Sequence, residues 1–246
     1  SNNISWLDYL QDAGSGVQGE VNWYIRTSKL EKDWNLIHTI VGPDGASQYG
    51  STAQHLNNDG SHIIFTDWAG GAGKVLVYER DSGANTYSQK GLPVWTGNSN
   101  SGGGDRVGTQ QTAIAITSDG THVIIGATNL QPNHEAKVFE WNGSAWAQKG
   151  NTITETGASG IGSNVNISDD GLSVVIGVHN VNSNRGEIRL YEYINNIWTI
   201  KKIIEGVDGP GNTNSIALGK CSISGSGNRI LACSSNWSGT IEVEST

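Results

Sequence analysis

Methionine is absent from these 246 residues, cysteine occurs only twice, and no apolar run approaches the length of a membrane span. The last absence excludes a transmembrane helix, which needs about 20 consecutive apolar residues. Cations are scarce too: 15 Lys and Arg stand against 23 Asp and Glu, a formal net charge of −8. Phosphate binding needs a basic face, so the balance argues against nucleic acid as a partner. The one basic pair, Lys201-Lys202, reads as a solvated strand edge. Apolar content is 35%, low for a compact globule. It suits short strands that alternate one buried and one polar side chain, with many turns between them.

Catalytic signatures are missing as well. The histidines at 38, 55, 62, 122, 134 and 179 show no metal-binding spacing such as H-E-x-x-H. No G-x-S-x-G elbow or phosphate-binding loop occurs. His62 and His122 share one place just after a turn, which suggests a structural or solvated role. Two acids could meet across a funnel to hydrolyse a glycan, but spacing cannot show such a pair. The expectation is a protein without catalytic activity or cofactor. The chain begins with Ser and shows no signal peptide, which reads as a processed or excised piece of something longer.

What is abundant is glycine, 34 residues, and tryptophan, nine. The glycines fall into a pattern. Tyr49-Gly50, Val107-Gly108, Ile161-Gly162 and Leu218-Gly219 open successive modules spaced 58, 54 and 57 residues apart. Each opening leads to a hairpin turn: Asn58-Asp59-Gly60, Asp119-Gly120, Asp170-Gly171 and Ser226-Gly227. Gly suits such turns because it takes positive φ without a Cβ clash. An apolar strand follows each turn, and further strands follow at Lys74 to Glu79, Ala136 to Trp141 and Glu187 to Tyr193. Strands ending near Tyr87, Trp146 and Trp198 complete the modules. Earlier strands are expected at Ile4 to Leu10, Glu20 to Arg26 and Trp34 to Ile40, and a last one at Thr240 to Glu244. Four strands per fixed period describe a propeller blade. The fold class is all-β, a β-propeller of four-stranded antiparallel blades, with five blades expected. The modules run 1–45, 46–104, 105–157, 158–214 and 215–246, with Gly97 to Gly104 as a surface loop. With strands named A to D from the inside out, the chain supplies B-C-D, three full blades, then A-B-C. Either a five-bladed ring closes imperfectly or the piece belongs to a longer array; an open end would expose a strand edge.

The apolar-Gly pairs, the hairpin turns, Ile125-Gly126-Ala127 and Ile176-Gly177 resemble the FG-GAP repeat of integrin-type propellers. Lys74 to Glu79 (KVLVYE), Gly186 to Glu192 (GEIRLYE) and Trp141 to Gly150 (WNGSAWAQKG) are closer to a shorter variety in surface proteins of marine microbes and their viruses. The resemblance covers nearly the whole chain and implies an extracellular or particle-surface protein. FG-GAP blades often bind calcium in the A–B loop, yet the loops here are too short and poor in acids to surround a hard cation. No metal is expected at them.

One repeated constellation remains. After strand B stand Asp8-Tyr9, Asp67-Trp68, Asn129-Leu130, Asn180-Val181 and Asn236-Trp237. In integrin-type propellers the B–C and D–A loops form the ligand-binding face. An Asx beside a flat aromatic can bond sugar hydroxyls while the ring takes the C–H face. The bland alternative is that each Asx caps its own turn and its neighbour packs between blades. Tyr9, Trp68 and Trp237 are the better candidates for contact. Trp34, Tyr87, Trp146 and Trp198, recurring on strand D, and Tyr78, Trp141 and Tyr191, sharing one place at the end of strand C, read as structural. Cys221 and Cys233 flank one hairpin; they either form a disulfide, which needs Cβ atoms about 4 Å apart, or remain thiols. The function expected is recognition or adhesion, with a glycan as favoured partner. The rival is an architectural module held by neighbouring protein subunits.

Overall fold

The computed structural model describes residues 20–25, 35–41, 49–68, 72–81, 83–98, 105–110, 112–128, 134–154, 160–178, 181, 185–206 and 218–234. Among the described residues, five antiparallel sheets follow one another along the chain. The first pairs β1 (Glu20–Ile25) with β2 (Asn35–Val41). The second orders β3 (Tyr49–Leu56), β4 (His62–Asp67), β5 (Lys74–Asp81) and β6 (Thr86–Gln89), while β7 (Trp95–Thr96) returns to pair with β5. The third repeats this plan with β8 (Ile114–Ile116), β9 (His122–Ala127), β10 (Glu135–Trp141), β11 (Trp146–Gln148) and β12 (Ile153–Thr154). The fourth has β13 (Asn164–Ile167), β14 (Ser173–Val178), β15 (Glu187–Ile194) and β16 (Ile197–Glu205); the fifth has β17 (Leu218–Ile223) and β18 (Ile230–Ser234). The strands expected at Ile4 to Leu10 and Thr240 to Glu244 lie outside the described residues, as does Trp34.

The second strand of each full sheet departs from the expected alternation. All six residues of β4 and all six of β9 are buried. A sheet packed on both faces has no solvent side, so such a strand reads as a continuous apolar run. Four hydrophobic cores result, each between consecutive sheets. Val21 and Ile40 meet Ile63, Phe65 and Leu76. Ile64, Val75 and Val77 meet Ile114, Val123 and Ile125. Ile124 and Val138 meet Val165, Val174 and Ile176, and Val175 and Ile188 meet Ile223. Each fully buried Ile or Val contributes about 1.5–3 kcal/mol of transfer free energy.

The Gly that closes strand B has a steric reason. A Cβ on Gly126 would stand 1.9 Å from the carbonyl oxygen of Gly162, and one on Gly177 would stand 1.9 Å from that of Gly219. The module-opening Gly of one blade therefore lies against the strand-B Gly of the blade before it. In the second sheet Thr66 takes that place, and its hydroxyl donates to the Gly108 carbonyl at 2.8 Å.

Each outer strand is one continuous strand in the fourth sheet and two pieces in the second and third. At Lys90-Gly91 and Lys149-Gly150 the chain leaves the ladder, then rejoins as β7 and β12; both glycines have positive φ. β16 instead runs nine residues, with a single irregularity opposite Leu190 and Tyr191. The same register corrects one repeat assignment. Trp141 pairs with Trp146 and Tyr193 with Trp198, so Tyr193, rather than Tyr191, matches Trp141.

The cysteines form no disulfide. Cys221 pairs with Ala232 and Cys233 with Lys220, an offset of one residue. Neighbouring positions on a strand point to opposite faces. Cys221 turns toward the fourth sheet, where its Sγ lies 2.9 Å from Asn164 Oδ1. Burial pushes its thiol up to about 12.

Candidate functional site

Asp67 ends β4 and Trp68 begins its loop to β5. Trp68 is half-buried. Among the tryptophans with described side chains, it has no ring, cation or hydrogen-bond partner among the described residues. Asp67 differs from expectation: it is buried, and its carboxylate lies 3.7 Å from Lys74 Nζ across the strand pair. It is held in the protein instead of standing free for a ligand's hydroxyls. Val181 also departs from the expected contact role, because it packs against the core between the third and fourth sheets. Its carbonyl accepts from Gly186 N at 3.2 Å, closing the loop. Asp8, Tyr9, Asn129, Leu130, Asn180, Asn236 and Trp237 lie outside the described residues.

The A–B turns at the opposite end use their acids locally. Asp59 Oδ1 accepts from Ser61 N at 2.9 Å, Asp119 Oδ1 from Thr121 N at 3.0 Å and Asp170 Oδ1 from Leu172 N at 2.9 Å. Gly60, Gly120, Gly171 and Gly227 all show the expected positive φ, between 65° and 74°. Hydrogen bonding to Ser61 holds the Asp59 carboxyl below its ordinary value. An Asx turn of this kind orients the carboxylate onto its own backbone.

Just after the turn, His62 and His122 build matching clusters. Lys90 Nζ donates to His62 Nε2 at 2.8 Å, and Lys149 Nζ donates to His122 Nε2 at 2.8 Å. An ammonium can only donate, so Nε2 is the unprotonated nitrogen and each imidazole is neutral. The other nitrogen then donates to Ser61 Oγ or Thr121 Oγ, both at 2.9 Å. Glu79 and Glu140 approach the same lysines at 3.8 and 3.5 Å. Burial first, and Lys90 second, lower the His62 pKa against the opposing pull of Glu79 and Asp59. Burial and Lys149 do the same to His122, opposed by Glu140 and Asp119. Burial also lowers Lys90.

These histidines belong to the joints between blades. A Cβ on Gly120 would meet the His62 ring at 2.3 Å, and one on Gly171 would meet His122 at 2.6 Å. Each ring is thus covered by the next blade's turn. On the outer edge, Trp146 Nε1 donates to the Lys90 carbonyl at 2.9 Å and Trp198 Nε1 to the Lys149 carbonyl at 2.8 Å. Gly91 and Gly150 leave room for those aromatics: a Cβ there would stand 2.6 Å from Trp141 and 2.8 Å from Tyr193. The repeated His, Lys and Trp are therefore joinery. Sequence reasoning found the shared histidine position but had no signal for its partner Lys, nearly thirty residues away.

No family model matches the chain, and no curated protein matches it. Among solved structures it is similar to the periplasmic gluconolactonase PpgL of Pseudomonas aeruginosa, at 13% identity and TM-score 0.55, over 88% of this chain and 58% of that one. It is also similar to TolB from Acinetobacter baumannii, at 13% identity and TM-score 0.51, over 93% of this chain and 46% of that one. The β-propeller domain of Cps50 (Swd1) from Myceliophteria thermophila aligns at 14% identity and TM-score 0.49, over 87% and 59%. The chain spans about half the length of these structures. Identities this low show the fold alone. The chain is a β-propeller of antiparallel four-stranded blades.

Proposed function

We propose that the chain is a non-catalytic recognition propeller of the FG-GAP-like kind, working outside the cell or on a particle surface. Carbohydrate is the ligand class, bound on the face of the B–C loops. The observation that carries this reading is Trp68. It is half-exposed and has no partner among the described residues, whereas Trp95, Trp141, Trp146 and Trp198 are each engaged by another ring. A flat indole free on one side accepts the C–H face of a sugar ring. With Asp67 held by Lys74, the polar partner at this blade is the Lys74 ammonium, whose side chain is 42% exposed. Glycan-array binding followed by Trp68→Ala tests this. The expected outcome is binding lost by tenfold or more with an unchanged melting temperature. An array blank for the wild type, or binding indifferent to Trp68→Ala, would refute it.

A second reading, a structural module held by neighbouring subunits, is favoured by one observation. β16 is a long outer strand that leaves Ile197 exposed on one face and Ile200 and Ile203 on the other, and exposed apolar side chains along a sheet edge suit a protein contact.

A further inference from the structure

The other end of the propeller holds a cavity of about 210 Å³ where the innermost strands β3, β8, β13 and β17 converge. Neighbouring blades touch directly here: Val165 N of β13 donates to the carbonyl of Thr112, just before β8, at 2.9 Å, and Cys221 N of β17 to Asn164 Oδ1 of β13 at 2.7 Å. Around the mouth, the A–B turns are linked hand to hand. Asn57 Nδ2 donates to the Ser118 carbonyl at 2.8 Å, Ser118 N to Asp169 Oδ1 at 3.0 Å, and Asp169 N to the Gly225 carbonyl at 2.8 Å. Four blades thus contribute to one rim, and its backbone is fixed before any ligand arrives. Such preorganisation removes an ordering penalty from binding.

We propose that this mouth is a binding site for a small neutral polyol of monosaccharide size. The lining divides into two layers. Ile116, Ile167 and Ile223 are the last residues of three A strands and are 4%, 6% and 6% exposed, giving an aliphatic floor. Six polar groups in the wall have no hydrogen-bond partner among the described residues: the His55 imidazole, the Asn58 amide, Ser118 Oγ, Asn166 Nδ2, Asp169 Oδ2 and Ser222 Oγ. Among them are donors, acceptors and hydroxyls that serve as either. A hydroxyl both donates and accepts, so a ring of hydroxyls on an apolar C–H framework matches a mixed wall above an aliphatic floor. Burial lowers the His55 pKa, so the wall carries no cation, and Asp169 repels anions. The volume also selects, since drug-sized ligands occupy pockets of roughly 300–1,000 Å³. This site is built on the face opposite the B–C loops and does not depend on Trp68.

Saturation-transfer NMR and calorimetry on the whole chain, with D-glucose, D-galactose, N-acetyl-D-glucosamine and methylammonium chloride as probes, test the assignment. At least one sugar is expected to bind the wild type. Asn58→Ala/Ser118→Ala removes two side chains that bond nothing else among the described residues, so melting should be unchanged while affinity falls about tenfold, the worth of two hydrogen bonds. Gly225→Ala, whose Cβ would stand 2.1 Å from Asp169 Oδ2, displaces that oxygen and should weaken binding as well. Trp68→Ala should leave this affinity intact, which separates the site from the B–C face. No sugar binding, methylammonium binding in place of sugar, an unchanged affinity in both mouth variants, or its loss in Trp68→Ala would each overturn the proposal.

Discussion

The third sheet and the fourth are built from the same repeat, yet their outer edges and turn joints differ. In the third, His122, Lys149 and Glu140 are drawn together beneath Gly171 of the next turn. In the fourth, Ser173 stands where the histidine would be, and Lys201 meets Glu192 at 3.4 Å with its side chain 59% exposed. Gly150 has become Lys202 and no aromatic of the next sheet rests on it among the described residues. The outer strand accordingly keeps its ladder past one irregularity and stays exposed. The difference teaches that the histidine cluster and the broken outer strand form one device. Both serve to seat the next blade: the turn Gly on the imidazole, and the aromatic pair on the Lys-Gly corner.

The strongest test of that view is the aromatic. Trp198 is 3% exposed, fills the third sheet's corner and donates to the Lys149 carbonyl. Trp198→Ala should cost about 3–5 kcal/mol in denaturant unfolding, as for other emptied aromatic sites. The half-buried Trp146 should lose less; equal losses would mean the corner's depth is irrelevant. Next comes the turn. Gly120→Ala combines positive φ with a Cβ 2.3 Å from His62, so a loss of about 3 kcal/mol is expected. Gly227 faces only Ser168 and Ser173 at 3.5 Å, and Gly227→Ala should cost about 1 kcal/mol for φ alone. If the two substitutions melt alike, the imidazole is no seat.

Acidification sharpens the same contrast. The folded pKa values of His62 and His122 lie below the ordinary 6.5. The unfolded chain therefore binds protons first as pH falls. Their contribution is complete above pH 6.5 and is lost as pH falls through the lowered folded values. His62→Ser/His122→Ser, which copies the fourth sheet, should flatten the melting temperature across that window. A wild-type profile already flat there would defeat the assignment of neutral imidazoles. The smallest effect belongs to Lys201→Ala, an exposed pair worth no more than about 0.5 kcal/mol. A larger loss would show that the fourth sheet's edge carries a joint of its own.

Much of this was legible beforehand for a physical reason. Turn glycines, apolar runs and strand spacing are local properties, and the repeat multiplies a weak local signal four times. Thus the hairpins at Gly60, Gly120, Gly171 and Gly227 appear where the turns were read. The candidate site was less legible. Asp67 looked free because its partner Lys74 lies across a loop, and nothing in an Asp-Trp pair signals a cross-strand cation. Sequence alone aligns Tyr191 with Trp141, because a register of two residues changes no local pattern, although it changes which ring meets which.

By itself the sequence determined a repeating all-β chain and its turn positions, because these follow from φ, periodicity and short-range sterics. Tertiary structure alone decided that His62 accepts from Lys90, that Cys221 and Cys233 stay one register apart, and that four turns close a rim around one cavity. Each of those depends on where one blade's side chains fall against the next, a geometry set by summed twist and packing across residues far apart in the chain.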